Sequence, residues 1–471
     1  MNDWVDENCF FTVGRAMLDG NVPYRDICEQ KGPVVYFVFA LAALVSKTSF
    51  FGVFLIEWML FSAFLYVGSG FLRLYYKKAG ALATGVFMLL VAFSVTVSIS
   101  FSHGGSVEEL SLVMLTLSLF WVLRAVKNWK GVSNANSALI GAFVAIALWS
   151  KFTITGFYIG LCAAYAAIMM RRKAFSALLK NMLFFFVGVF LITAPIMAYF
   201  AANGAVDSLF ETYFCYNTVL YPQIGGAGFI APLWNILEGL GTSLAVNGFS
   251  SLLLLLGAFA LVRRLRAHKS EATILFFSFA MLAASTFIGG KSRFSYYALI
   301  LDCFVPLGAA TAVKLLFKAG LIRRLKRSMH RRFFAAALAG VLLGFGLVLS
   351  KNTYLLKYEK SDMPQYKFAE TMAKKEGATL LNYGFLDGGF YFVANKTPNC
   401  KYFCKLNLAL AEMDQEQRRM IEERRVDFVV TRMMRLEHML DASGYELVET
   451  ASFPLEGREF VYYLYVLKPA P

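Results

Sequence analysis

Asp6 and Glu7 stand side by side near the start of the chain, and Glu108 and Glu109 form a second acidic pair. A carboxylate so placed can take the proton from a hydroxyl as a general base. Cations accompany both pairs. Arg25 and Lys31 follow the first at short spacing, Lys151 stands between apolar runs, and Lys291 and Arg293 precede "FSYYALI" (294–300). Lys or Arg beside a reacting centre neutralises the charge that develops on a departing anion. This combination suits transfer of a group from an anionic leaving group to a hydroxyl. The plainer alternative is that the same charges cap helix ends and pair with lipid headgroups.

The elements that must hold these residues are apolar. The chain of 471 residues is 58% hydrophobic and only 16% charged, against about 25% charged in soluble domains, and its mean hydropathy is +0.56. Apolar runs of about 20 residues, enough to cross a hydrocarbon core of roughly 30 Å, recur along it. The sequence therefore predicts a polytopic α-helical membrane protein of about ten spans, at 53–74, 80–101, 107–124, 136–150, 152–170, 182–201, 248–264, 272–289, 294–316 and 333–350. The fourth is short for a span. The net charge of +15 is carried by short basic loops, "RLYYKK" (73–78), "RAVKNWK" (124–130), "RRK" (171–173), "RRLRAHK" (263–269) and "RRLKRSMHRR" (323–332). Such loops mark the cytoplasmic side, so the charge orients a bundle in a lipid bilayer, and no nucleic-acid partner is expected.

With those loops inside, residues 1–50, 102–107, 202–247, 289–293 and everything after 350 lie outside. The run "VVYFVFALAALVS" (34–46) is too short for a span and reads as an interfacial helix. The first residues are acidic and polar, without the basic and apolar regions of a signal peptide. An outer N-terminus without such a signal is awkward to translocate, and the expectation is that a preceding helix is absent from this chain, the alternative being that a short, weakly charged tail crosses with the first span. After 350 the character changes. Runs at 378–384, 426–432, 445–453 and 460–468 read as strands, and 362–376 and 412–425 as amphipathic helices. The predicted domains are a transmembrane module over 1–350, with 1–50 as an outer loop bearing the catalytic groups, and an extracytoplasmic α/β domain over 351–471.

All the polar oddities thus gather at one membrane edge. Ionisable groups at membrane depth are costly and face a cavity or one another. A sugar on a lipid phosphate fits such an edge, with its head polar, its tail in lipid and its leaving group anionic. Other single residues read more plainly. His103 has no HxxH or HxxxH partner and reads as structural, and "GGAGF" (225–229) as a flexible loop. "YGFLDGGFY" (383–391) reads as a strand-to-helix turn rather than a ligand rim. Seven scattered cysteines make no zinc-type CxxC pair, and both a disulfide and free thiols stay open.

The stretch "DENCFFTVGRAMLDGNVPYRDICEQKGPVVYFVFAL" (6–41) resembles the first outer loop of the GT-C membrane glycosyltransferases. The nearest branch is the bacterial one related to protein O-mannosyltransferases and lipid A aminoarabinose transferases, of the family 39 type. The matching residues are Asp6-Glu7, then Met17, Gly20, Pro23, Tyr24 and Asp26, then Lys31-Gly32-Pro33. "GGSVEELSL" (104–112), "FETYFCYN" (210–217) and "SRFSYYALILDCFVP" (292–306) follow in the family's order, so the resemblance covers roughly residues 1–350.

The resemblance implies transfer of a sugar from a polyprenyl-phosphate donor to a cell-envelope acceptor, with inversion, at the outer face of a bacterial plasma membrane. Asp6 would be the leading catalytic carboxylate, Glu7 its neighbour and Glu108 the second acidic site. Adjacent helical residues point about 100° apart, so Glu108 rather than Glu109 is expected to face the cavity. Lys31 would hold the lipid phosphate, with Arg25 and Arg293 as further candidates. Asp26, Glu109 and Tyr297 complete the expected substrate-binding set. No tightly bound metal or cofactor is implied, and a divalent metal is left open. The family has a helix before the acidic pair, whereas five residues precede Asp6 here. The reading from another class is a non-enzymatic transporter or flippase of a lipid-linked saccharide.

Overall fold

The computed structural model describes residues 4–101, 103–220, 231–264, 268–289, 294–320, 351–408, 410–455 and 458–469, with positions 340, 344 and 347–349. The expected span 333–350, the loop 225–229, Lys291 and Arg293 lie outside the described residues or largely so. Among the described residues, six helical segments are long and apolar enough to cross a membrane. They are Phe51–Tyr75 (α3), Val107–Lys127 (α5), Phe152–Arg171 (a 3-10 turn leading into α7), Phe175–Ala202 (α8), Lys269–Phe287 (α12) and Ser295–Lys318 (a 3-10 stretch to Phe304, then α13). A seventh is counted if Ala231–Val246 (α10) and Gly248–Arg264 (α11), bent by 116°, form one broken span. This is a multi-pass membrane protein.

The shorter apolar helices explain most of the difference from ten spans. Ala81–Thr96 (α4) has 16 residues and Asn134–Leu148 (α6) has 15, below the roughly 20 needed to span. Pro33–Val45 (α2) is the short helix expected after the first loop. Residues 206–220 and 231–246, expected as loop, are helical: Val206–Leu209 (α9), a π-helical stretch Phe210–Leu220, and α10. Gly239 and Gly241 obscure α10 in the sequence, because glycine is a poor helix former.

The chain divides into two compact units, Met1–Ile56 with Pro195–Ile224 and Tyr354–Pro471, and Glu57–Ala194 with Gly225–Thr353. One cut between the units falls between Thr353 and Tyr354, close to the composition shift near 350, and the unit that holds the tail also takes in Met1–Ile56 and Pro195–Ile224. In the first unit, Val5–Leu18 (α1) packs on α2, with Phe10 edge-on to Phe39 at 5.5 Å. The tail contributes Pro364–Met372 (α14), Leu380–Asn382 (β1), Phe390–Val393 (α15), Ala411–Glu422 (α16), Phe428–Arg432 (β2), Tyr445–Leu455 (β3) and Arg458–Leu467 (β4). Its sheet runs β1-β2-β4-β3, with β1 parallel to β2 and the other two pairs antiparallel. Leu381, Val429, Met420, Ile421 and Tyr465 fill its core.

Helix α1 is bound into this tail. Thr12 Oγ1 donates to Asp387 Oδ2 at 2.7 Å, and the Arg15 guanidinium donates to the Tyr391 carbonyl at 2.9 Å and to Asn395 Oδ1 at 3.2 Å. Phe11 meets Phe392 at 5.2 Å. Asp387 and Arg15 are both buried. Burial pushes the Asp387 carboxyl above its ordinary range, against bonds from Thr12, the Gly389 N–H and Asn382 that favour the charged form. Thr12→Val is therefore expected to destabilise the full-length protein by about 1.5–3 kcal/mol, as for a hydrogen bond to a charged group. The loss should grow as pH rises through the Asp387 titration, because the hydroxyl bond favours the charged form over the neutral one. Thermal unfolding of both proteins across pH checks this.

In the second unit, α12 packs along α7, α11 along α13, and α5 along the 3-10 stretch Ser295–Phe304. Asn247 sits at the break between α10 and α11. Its Oδ1 accepts from Ser98 Oγ at 2.7 Å and Ser100 Oγ at 3.0 Å, and its Nδ2 donates to the Ser243 carbonyl at 2.9 Å. Ser100 Oγ also lies 2.7 Å from the Ser295 carbonyl, so its one proton is shared between that oxygen and Asn247 Oδ1. This buried network satisfies the backbone where the helix breaks and fixes the start of the 3-10 stretch.

Candidate active site

Each unit carries a part-buried or buried carboxylate–ammonium pair at the start of a helix. In the first, Asp6 and Glu7 occupy the first turn of α1, where the positive end of the helix dipole favours carboxylates. Lys31 Nζ lies 3.4 Å from Asp6 Oδ2, with the two side chains 15% and 17% exposed. The same ammonium stands 5.3 Å from the centroid of the Phe10 ring. Glu7 is buried. Asp6 therefore reaches solvent and a cation together, while its neighbour points into the protein.

The first loop holds Lys31 by its backbone. Its carbonyl accepts from Tyr24 Oη at 2.6 Å and Tyr36 Oη at 3.1 Å, and its N–H donates to Glu29 Oε2 at 2.9 Å. The one Tyr36 proton is shared between the Lys31 carbonyl and Glu29 Oε2, and Asn217 Nδ2 donates to the Gln30 carbonyl at 2.6 Å. Gly20 takes a φ of 92° just after α1, a region that favours glycine. Gly32 is the N-cap of α2 and Pro33 its first residue, the position where proline's missing N–H costs nothing. The residues of the first-loop motif thus shape the turn that aims Lys31 at Asp6.

Asp26 is one of those shaping residues. Its Oδ2 accepts the Val22 N–H at 2.8 Å, closing the turn. Arg25 is paired with Asp26 at 2.8 Å and donates to the Asn203 carbonyl. The bond from Arg25 holds the Asp26 carboxyl below its usual range despite partial burial. The structure gives Arg25 and Asp26 to each other and to the backbone.

In the second unit, Ser106 caps α5 by accepting the Glu109 N–H at 3.1 Å, and Glu108 and Glu109 fill the first turn. Gly104 and Gly105 before it have φ of 78° and 65°, left-handed positions that a side chain would strain. The Gly105 N–H donates to Glu57 of α3. Glu108 is 2% exposed and meets Lys151 Nζ at 2.5 Å. Lys151 lies at the bend between α6 and the 3-10 turn before α7, and its ammonium sits 3.4 Å from the centroid of the Tyr297 ring and 5.7 Å from that of Tyr296. Glu109 lines a separate small apolar pocket with Glu57, Leu60, Phe61 and Phe101. The two neighbours in "VEEL" thus turn to different surroundings, as their helical spacing requires.

Of the expected site residues, the structure brings Asp6 to Lys31 and sets Tyr297 beside the partner of Glu108. Arg293 lies outside the described residues. Lys151 is the residue that the sequence singled out as odd without giving it a role. Its signal was a lone lysine flanked by apolar runs, and its partners stand 43 residues before it and 146 after it. Glu57, in the midst of an apolar helix, was missed outright. Among the described residues, no group of three or more His, Cys, Asp or Glu side chains is placed to hold a metal ion.

No family model matches the chain, and no curated protein sequence matches it significantly. Solved structures do. ArnT from Cupriavidus metallidurans bound to undecaprenyl phosphate superposes with a TM-score of 0.58 at 14% identity, covering 98% of this chain and 93% of that one. The apo state of the same protein gives 0.57 at 14% identity, over 97% and 93%. At such identity the likeness is one of fold, and the chain shares the fold of ArnT.

Proposed function

We propose that this protein is a glycosyltransferase that moves a sugar from a polyprenyl-phosphate carrier to a cell-envelope acceptor, with inversion, at the outer face of the membrane. The observation that carries the reading is the Asp6–Lys31 pair, a part-exposed carboxylate and ammonium 3.4 Å apart at the start of α1. Its support is the fold, which in ArnT accommodates undecaprenyl phosphate. Asp6 takes the proton from the acceptor hydroxyl as its oxygen attacks the anomeric carbon. The bond from that carbon to the phosphate oxygen breaks on the opposite face, and polyprenyl phosphate leaves as an anion. Lys31 stabilises that anion where its charge develops. In the second unit, Glu108 and Tyr297 frame Lys151, and Glu108 orients it.

One feature favours the reading from another class. The 116° break at Asn247 is the kind of discontinuous helix found where transporters bind substrate. Proteoliposomes separate the two readings. Purified protein is given labelled polyprenyl-phosphate sugars on one face and an envelope extract as acceptor. The proposal expects sugar on the acceptor and free polyprenyl phosphate in equal amounts. Appearance of the intact lipid-linked sugar on the opposite face, with no release of polyprenyl phosphate, would instead establish a transporter.

A further inference from the structure

Cys9 lies one turn beyond Asp6 on α1, and Cys404 lies in the tail between α15 and α16. Their sulfurs approach to 3.8 Å across 395 positions of sequence. Both residues are buried, at 3% and 0% exposure. The contact is not left to two mobile thiols, because the backbone on each side is pinned. The Cys9 side is held by Thr12 on Asp387 and Arg15 on the Tyr391 carbonyl, three and six residues further along α1. Beside Cys404, the Phe403 carbonyl accepts from Tyr391 Oη at 2.8 Å, and the Lys405 N–H donates to the Phe385 carbonyl at 2.9 Å. Cys400, the other cysteine of this loop, is turned toward Glu416.

We propose that Cys9 and Cys404 form a structural disulfide that ties α1, and with it Asp6, to the tail. The inference rests on the proposed outer placement of this unit, since disulfides persist in oxidising compartments. A bonded pair needs its sulfurs at about 2.05 Å, so side-chain rotation must close about 1.8 Å of the present 3.8 Å. The bond forms during folding, before burial shuts the pair away. One cysteine, as thiolate, attacks the disulfide of a dithiol–disulfide oxidant and gives a mixed disulfide. The second cysteine displaces the oxidant from it. The two thiols lose two protons and two electrons, and the oxidant leaves as its dithiol. Once buried, the bond is shielded from small reductants.

Peptide mapping of the full-length protein tests this. Cells are lysed in an alkylating reagent without reductant, and the purified protein is digested with trypsin under non-reducing conditions. The expected product is the peptide ending at Arg15 joined to Tyr402–Lys405, lost completely on reduction and absent from Cys9→Ser. Recovery of Cys9 and Cys404 as separate alkylated peptides overturns the proposal, and so does a bond from Cys404 to Cys28 or Cys400. The side of the membrane is read in the same cells with an impermeant lysine label on the tail. Free thiols in a labelled, outward tail refute the disulfide alone. An unlabelled tail on the inner side refutes both the disulfide and the outer site.

Discussion

Asp6→Asn is expected to lower the rate of sugar transfer by about 10²–10⁴-fold, the usual contribution of a general base. The substitution keeps the shape of the side chain and an oxygen for Lys31, and it removes the group that takes the proton. Its effect on the fold should be small. The Asp6–Lys31 pair is part-exposed, and pairs of this kind contribute about 0–1 kcal/mol to stability. Activity and melting temperature therefore separate cleanly, which they would not do if Asp6 merely capped α1. Asp6→Glu refines the point. It retains the charge but moves it by one methylene, and a misplacement of about 1 Å can itself cost on the order of 10²-fold. Initial rates at saturating donor, set beside thermal unfolding of the same preparations, decide it. Undiminished transfer by Asp6→Asn removes Asp6 from the chemistry.

Lys151→Ala is expected to destabilise the protein by about 3–5 kcal/mol, because it leaves a buried carboxylate without its cation. Glu108 is 2% exposed, and Lys151 is the ammonium it meets. The face of Tyr297, 3.4 Å from that ammonium, adds a cation–π term of about 0.5–2 kcal/mol. Replacing both charges, as in Glu108→Gln with Lys151→Met, should recover most of the loss, since a buried pair and a neutral pair of similar volume are often close in stability. Denaturation of Glu108→Gln, Lys151→Met and the double variant yields the coupling energy directly. Additive losses would mean that the two side chains do not share a buried site.

Much of this architecture was legible in the sequence where local pattern decides structure. The four β-rich runs of the tail became β1 to β4 with ends shifted by a few residues, because alternation and turn residues act at short range. The 13-residue helix after Lys31-Gly32-Pro33 was legible for the same reason. What escaped depends on pairing over long sequence distances. Nothing near Thr12 or Arg15 announces partners at Asp387 and Tyr391, and an arginine within a helix ordinarily reads as solvated. Burial of Arg15 follows only once the tail has folded over it. The two carboxylate-paired lysines, one in each unit, differ in the same way. Lys31 lay in a motif and could be named, whereas Lys151 could be seen as odd but not joined to Glu108. Helix α10 escaped because its glycines weaken the local helical signal, while packing against α12 supplies what propensity lacks.

The most direct measurement is release of polyprenyl phosphate, followed by mass spectrometry, from a panel of polyprenyl-phosphate sugars in liposomes containing the wild-type protein or Asp6→Asn. The expected result is acceptor-dependent release from at least one donor by the wild-type protein, with Asp6→Asn slower by about 10²-fold or more. Equal release by both proteins, or intact donors throughout while the lipid-linked sugar crosses the bilayer, would contradict a transferase whose base is Asp6.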